Sequence, residues 1–158
     1  MTRAALLALG WLLVGGAVAH AGSPFDRSHA AWSALLVAHV HWNAQGTAST
    51  VDYAGFARDR AALDAYRTAL AEVGARDFSE WSPPEKLAFL VNAYSANTIA
   101  LILTRYPDIT SIKDLGGLFS SPWEQRFVTL LGAPCSLDEI EHTMIRDSVG
   151  RAEPRVHF

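Results

Sequence analysis

A second cysteine is missing from the chain: of 158 residues only Cys135 carries a thiol, which excludes an intrachain disulfide and any CxxC metal or redox motif. A basic excess is missing too. Thirteen Lys and Arg stand against 16 Asp and Glu for a net charge of −3, so the composition recruits neither nucleic acid nor an acidic membrane surface. No HExxH, GxSxG, P-loop or GxGxxG occurs and no Cys/His pair has zinc-site spacing, so the sequence implies no metal and no cofactor. Internal repeats and low-complexity tracts are also lacking. What is there is a half-apolar chain, long enough for one domain with a substantial core.

At the amino end, Met1, Thr2 and the cation Arg3 precede Ala4 to Val18, an unbroken run of Ala, Leu, Gly, Val and one Trp. The run falls short of the roughly 20 apolar residues a spanning helix needs. It matches the n-region and h-region of a signal peptide, with overlapping A-x-A cleavage sites ending at Ala19 and Ala21. The expectation is a cleavable signal over 1–21 and an exported chain, periplasmic or secreted, with no membrane attachment after cleavage.

The expected fold class is α+β, mainly helical, with a central buried helix, flanking helices and a few short strands. Residues 22–50 read as an N-terminal helix and loop. Asp26 or Ser28 can cap a helix carrying Trp32, Leu35, Leu36 and Val40 inward, and Asn43–Thr50 is small and polar. The main domain, 51–158, begins with a helix placing Leu63, Tyr66, Leu70 and Val73 on one stripe, closed by Gly74 as a left-handed cap. Ser82, Pro83 and Glu85 make a capping box with proline in the first turn. Beyond it apolar residues run all round the wheel from Leu87 to Leu103, which predicts a helix covered on most sides until Tyr106 and Pro107. Ser111–Leu118 suggests a short helical turn and Arg126–Leu131 a strand. Ser136 and Glu139 form a second capping box for a helix over 137–146, and Arg155–Phe158 opens another strand.

Polar residues in apolar patterns are the candidate site. Leu137, Ile140, Glu141 and Met144 share a helical face, so a carboxylate points at the interior, where it needs a partner. It is either an acid, base or orienting group or half of a structural ion pair with an arginine such as Arg155. His142 and Arg146 lie together farther round the helix. Asn92 interrupts the central helix with Tyr94 two positions on; its amide either braces a loop or orients a ligand. Arg155 and His157 share one face of the last strand. His39 and His41 are two apart, a spacing only a strand would align. Cys135 precedes an N-cap, where a thiol can be activated or can pack on Ile140 as a hydrophobic staple.

The blocks WSPPEKLAFLVNAYSANTIALIL, YPDITSIKDL, PW, SLDEIEHTMIR and PRVHF, in that order from Trp81, resemble the domain of unknown function family numbered 547, over roughly Val51 to the C-terminus. The resemblance implies an exported or membrane-associated helical and mixed domain with no established general activity. Its matching polar positions are Asn92, Tyr94, Glu141, His142, Arg146, Arg155 and His157. Ser95 stands where the family usually has a second Asn. In the family the RVHF-like strand continues into a cysteine-containing segment, which implies that this chain stops short of the family domain. Two functions follow as expectations. Full-length relatives use that cysteine in thiol-dependent hydrolysis or transfer, with Glu141, His142 and His157 as catalytic residues and Asn92, Tyr94, Arg146 and Arg155 orienting the ligand; this chain is then inactive. Alternatively the domain binds a small molecule or peptide without catalysis.

Overall fold

The computed structural model of the protein describes residues 24–116 and 121–149. The expected signal over 1–21 and the strand at Arg155–Phe158 lie outside the described residues.

Helix α1, Ala30–His39, starts where the Asp26 carboxylate accepts from the backbone N–H of Ser28 at 2.9 Å and of Ala30 at 3.0 Å. Asp26 and Ser28 thus act together, as a small polar turn in front of the helix. Trp32 and Leu35 are buried as their spacing requires. Val40 leaves the helix instead of ending it, and begins β1, Val40–Trp42, paired antiparallel with β2, Ser49–Val51. Val40, Trp42, Thr50 and Val51 are β-branched or aromatic residues on either side of a polar turn, which favours a hairpin at the end of the expected loop.

Asp52 caps α2, Tyr53–Arg58, by accepting from the Gly55 N–H at 2.9 Å. Helix α3, Arg60–Ala71, buries Leu63, Tyr66 and Leu70, with Val73 buried just beyond it. Gly74 is not a left-handed cap: it is extended, at φ −77 and ψ 148, and leads into α4, Ala75–Ser79. The end of α3 needs no left-handed residue, because Glu72 and Val73 donate back to the carbonyls of Thr68 and Leu70.

Helix α5, Pro83–Ile102, opens with the expected capping box of Ser82 and Glu85. It packs on α3 and on the C-terminal helical segments. Its inner side carries Phe89, Leu90, Ala93 and Ala96, all with no exposed surface, so it is the centre of the core. The cover is not complete, since Ala88 and Val91 are exposed. Small Ala residues on the inner side let α3 and the C-terminal segments come close.

The chain turns after α5 through a cis Tyr106–Pro107 peptide and two short 3₁₀ turns, Ile112–Leu115 and Pro122–Glu124. Strand β3, Val128–Leu130, is shorter than the six residues expected and pairs antiparallel with β4, Ala133–Cys135. Leu131 and Gly132 join them, both at positive φ, 54 and 82, as a two-residue hairpin turn of the twist-matching type requires.

The C-terminal rod follows in three segments: α6, Leu137–Glu139; a π-helical stretch, Ile140–Ile145; and α7, Arg146–Val149. Its capping box is formed, with the Glu139 N–H donating to Ser136 Oγ at 3.1 Å and the Ser136 N–H donating to Glu139 Oε2 at 2.8 Å. Leu137 and Ile140 are fully buried, and the next buried position is Ile145. That step of five residues is the width of a π turn. It leaves Glu141 and Met144 at the margin, half-buried, where strict α-helical periodicity places them inside.

Candidate binding site

The candidate site forms where the rod crosses α5. The Pro122–Glu124 turn, begun by Ser121 Oγ accepting from the Trp123 N–H, sets Trp123 beside both elements. Three side chains meet there from three separate stretches of sequence: Tyr94 of α5, Trp123 of the turn and Glu141 of the π segment. Each is half-buried, so the cluster has a dry side and a wet side.

Its electrostatics are read at Tyr94. Burial comes first in pushing the phenol up, to about 12, and the nearby Glu141 carboxylate, which favours the protonated hydroxyl and repels its anion, works in the same direction. Asp138 adds a weaker effect of that sign, while hydrogen bonding from Trp123 opposes it. The phenol therefore stays protonated at neutral pH. The hydroxyl can donate and accept, the Trp123 indole N–H only donates and the Glu141 carboxylate only accepts, so the three groups together offer a ligand both donors and acceptors.

His142 is exposed and lies apart from this cluster. Arg146 Nη2 donates to its Nδ1 at 3.3 Å, and Asp138 Oδ1 is 3.5 Å from its Nε2. Because a guanidinium can only donate, Nδ1 is the acceptor and Nε2 carries the proton toward Asp138. Arg146 is exposed and serves this bridge along the rod.

Asn92 is half-buried rather than enclosed, and among the described residues its side chain makes no hydrogen bond. Arg155 and His157 lie outside the described residues, so of the seven expected site residues the structure brings together Tyr94 with Glu141, and His142 with Arg146. The Cys135 thiol is buried, and burial followed by the Glu139 charge raises its pKa, with Arg126 opposing. It and Ile140 are both core residues on either side of the N-cap, as a staple requires. His39 and His41 do not converge: His39 is buried against Asp59, and His41 is exposed on β1. Among the described residues no three His, Cys, Asp or Glu side chains gather as metal ligands.

Sequence reasoning passed over Trp123 and Asp138 as functional positions. The proline before Trp123 was the available signal, since it fixes the turn that presents the indole. Asn97, five positions after Asn92, is the buried amide of α5, 3% exposed.

Among the described residues no helix is long and apolar enough to cross a membrane. Comparison with curated proteins and with solved structures gives no match. The family DUF547, described as a protein of unknown function, matches residues 78–158, which take in Tyr94, Trp123 and Glu141. That range is narrower than the stretch from Val51 suggested by the sequence blocks and still covers just over half of the chain, which therefore belongs to the DUF547 family.

Proposed function

We propose that this chain is an exported binding domain, which holds a small molecule or peptide by hydrogen bonds at Tyr94, Trp123 and Glu141. The observation that carries the reading is the Tyr94 phenol meeting the Glu141 carboxylate from a different element, with an indole beside them. Such a half-buried set offers acceptors and a flat apolar surface together, which suits a ligand with its own N–H or O–H donors. Catalysis by a thiol of the described residues is disfavoured, because Cys135 is buried and its pKa raised, and the reactive form is the thiolate. Thiol-dependent hydrolysis or transfer in relatives would need a second, accessible thiol beside the Glu141 cluster. Export rests on the composition of residues 1–21.

Both parts are open to test. Expression with the native amino end in a Gram-negative host, followed by fractionation and mass measurement, should give a periplasmic product beginning at His20 or Gly22. A cytoplasmic product retaining Met1 would remove the export reading. For binding, a mixed tripeptide library added to the ¹⁵N-labelled chain should move the Trp123 indole resonance, and Glu141→Gln should abolish the movement. A Trp123 signal indifferent to the library, or one that moves equally in the variant, counts against the site.

A further inference from the structure

One turn along α5 from Tyr94, at Asn97, α3 and β3 border an open groove of about 410 Å³. Its chemistry is unlike that of the chain as a whole. The net charge of the protein is −3, yet the groove is lined by two arginines, Arg60 and Arg67, with a single carboxylate, Asp64, between them. Arg60 Nε donates to Asp64 Oδ2 at 2.9 Å and Arg67 Nη1 donates to Asp64 Oδ1 at 3.0 Å. One carboxylate thus holds two guanidiniums in place and neutralises one of them.

Arg67 is fixed a second time from below. Its Nε donates to Asn97 Oδ1 at 2.8 Å, and the Asn97 amide donates to the Ala93 carbonyl at 2.8 Å. A buried amide in the central helix is costly unless satisfied, and here its acceptor is used on an arginine at the groove floor. These contacts fix Nε and one terminal nitrogen of Arg67. The second terminal nitrogen of Arg67 and both of Arg60 are without a partner among the described residues. Across the groove Thr129 is exposed and adds a hydroxyl. The geometry therefore leaves guanidinium donors in excess of acceptors, on side chains already oriented by other contacts.

We propose that this groove binds the oxyanion of a small ligand, a carboxylate or phosphate group held by Arg60 and Arg67, with Asn97 as the positioning residue. Planar guanidinium forks match both oxyanions with paired hydrogen bonds. The groove shares no lining residue with the Tyr94, Trp123 and Glu141 cluster.

The test follows the Arg67 Nε–H resonance of the ¹⁵N-labelled full chain, which Asn97 should keep in slow exchange. Inorganic phosphate is titrated in one series. In a second, an N-acetyl dipeptide with a free C-terminal carboxylate is compared with its amide. Saturable movement with phosphate assigns a phosphate-type ligand, and movement with the acid but not the amide assigns a carboxylate. Either should weaken at least tenfold in Arg60→Gln, a half-buried position outside the hydrophobic core, and remain unchanged in the control Arg76→Gln on α4. Asn97→Gln, which keeps a neutral amide acceptor for Arg67, should bind better than Asn97→Leu. No saturable movement with any of the three probes, or equal weakening in the Arg60 and Arg76 variants, overturns the proposal.

Discussion

The His39 imidazole is held at 2.7 Å from Asp59 Oδ2 through Nε2, while its Nδ1 lies against the α-carbon of Gly55. A β-carbon on Gly55 would sit 2.3 Å from that nitrogen and 2.6 Å from Asp52 Oδ2. Glycine is needed here for closeness, not for an unusual backbone angle. Gly55→Ala must displace a buried ring and the cap of α2 together. The expected loss is about 1–3 kcal/mol, the range for overpacking a tight site, measured by urea denaturation. An unchanged midpoint would show that the ring moves aside freely.

His29 is buried beside Tyr66, with Nδ1 2.7 Å from the phenol oxygen, and burial lowers its pKa despite the Asp26 charge. The folded state therefore prefers the neutral ring, and the unfolded chain binds the extra proton first. Stability from this group is fully present above the ordinary value of 6.5 and declines as pH falls below it. Asp26, Asp52, Glu85, Asp114 and Glu139 have pKa values lowered chiefly by hydrogen bonds. Their contribution goes only at more acid pH, once the carboxylates protonate. Melting temperature should therefore fall in two stages on acidification. In His29→Asn, which tolerates the left-handed backbone at φ 54, the first stage should flatten while the second remains.

Ser136 caps the C-terminal rod and is itself buried. Ser136→Ala should cost about 0.5–2 kcal/mol by denaturant unfolding, since it strips the acceptor for the Glu139 N–H in a place water does not readily fill. Tyr94→Phe should cost at most about 1.5 kcal/mol, the ceiling for an ordinary hydrogen bond, and should leave far-ultraviolet dichroism unchanged. A larger loss with altered dichroism would mean that the phenol holds the rod on α5.

Cys135 should resist a neutral-pH disulfide reagent in the native protein and react stoichiometrically once unfolded, because burial restricts access and raises its pKa. Rapid labelling of the native chain, lost in Cys135→Ala, would return the thiol to the list of nucleophiles.

Caps and stripes were legible in the sequence because they depend on residues three or four apart: Ser82 with Glu85, Ser136 with Glu139, and Leu63, Tyr66 and Leu70 on one face. What was not legible depends on longer reach or on local backbone detail. The β1–β2 hairpin needs Val40 to pair with Val51 across a polar turn, a choice that helical spacing in α1 concealed. Gly74 could have ended α3 in either backbone region, and the bonds from Glu72 and Val73 decided against the left-handed one. For the site, Glu141 was marked correctly as a carboxylate in an apolar pattern. Its depth was overstated because spacing presumes 3.6 residues per turn. Trp123 and the Arg67–Asn97 bond are tertiary juxtapositions, 18 or more residues from their partners in every case, that no local pattern encodes.

The π-helical stretch makes the rod a register in which one residue more or less has a calculable meaning. A π turn is an α-turn carrying one added residue, so removing Thr143 would let Ile140–Ile145 close as ordinary helix. Ile145 would then stand four residues after Ile140, one ordinary helical turn, and keep the core position it now fills. The same deletion in a plain α-helix would swing everything after it by about 100° about the axis. The stretch thus absorbs one residue locally and leaves the phase between the capped start of the rod and its far end unchanged. Homologues that differ here by a single-residue gap should present the same side chains after it.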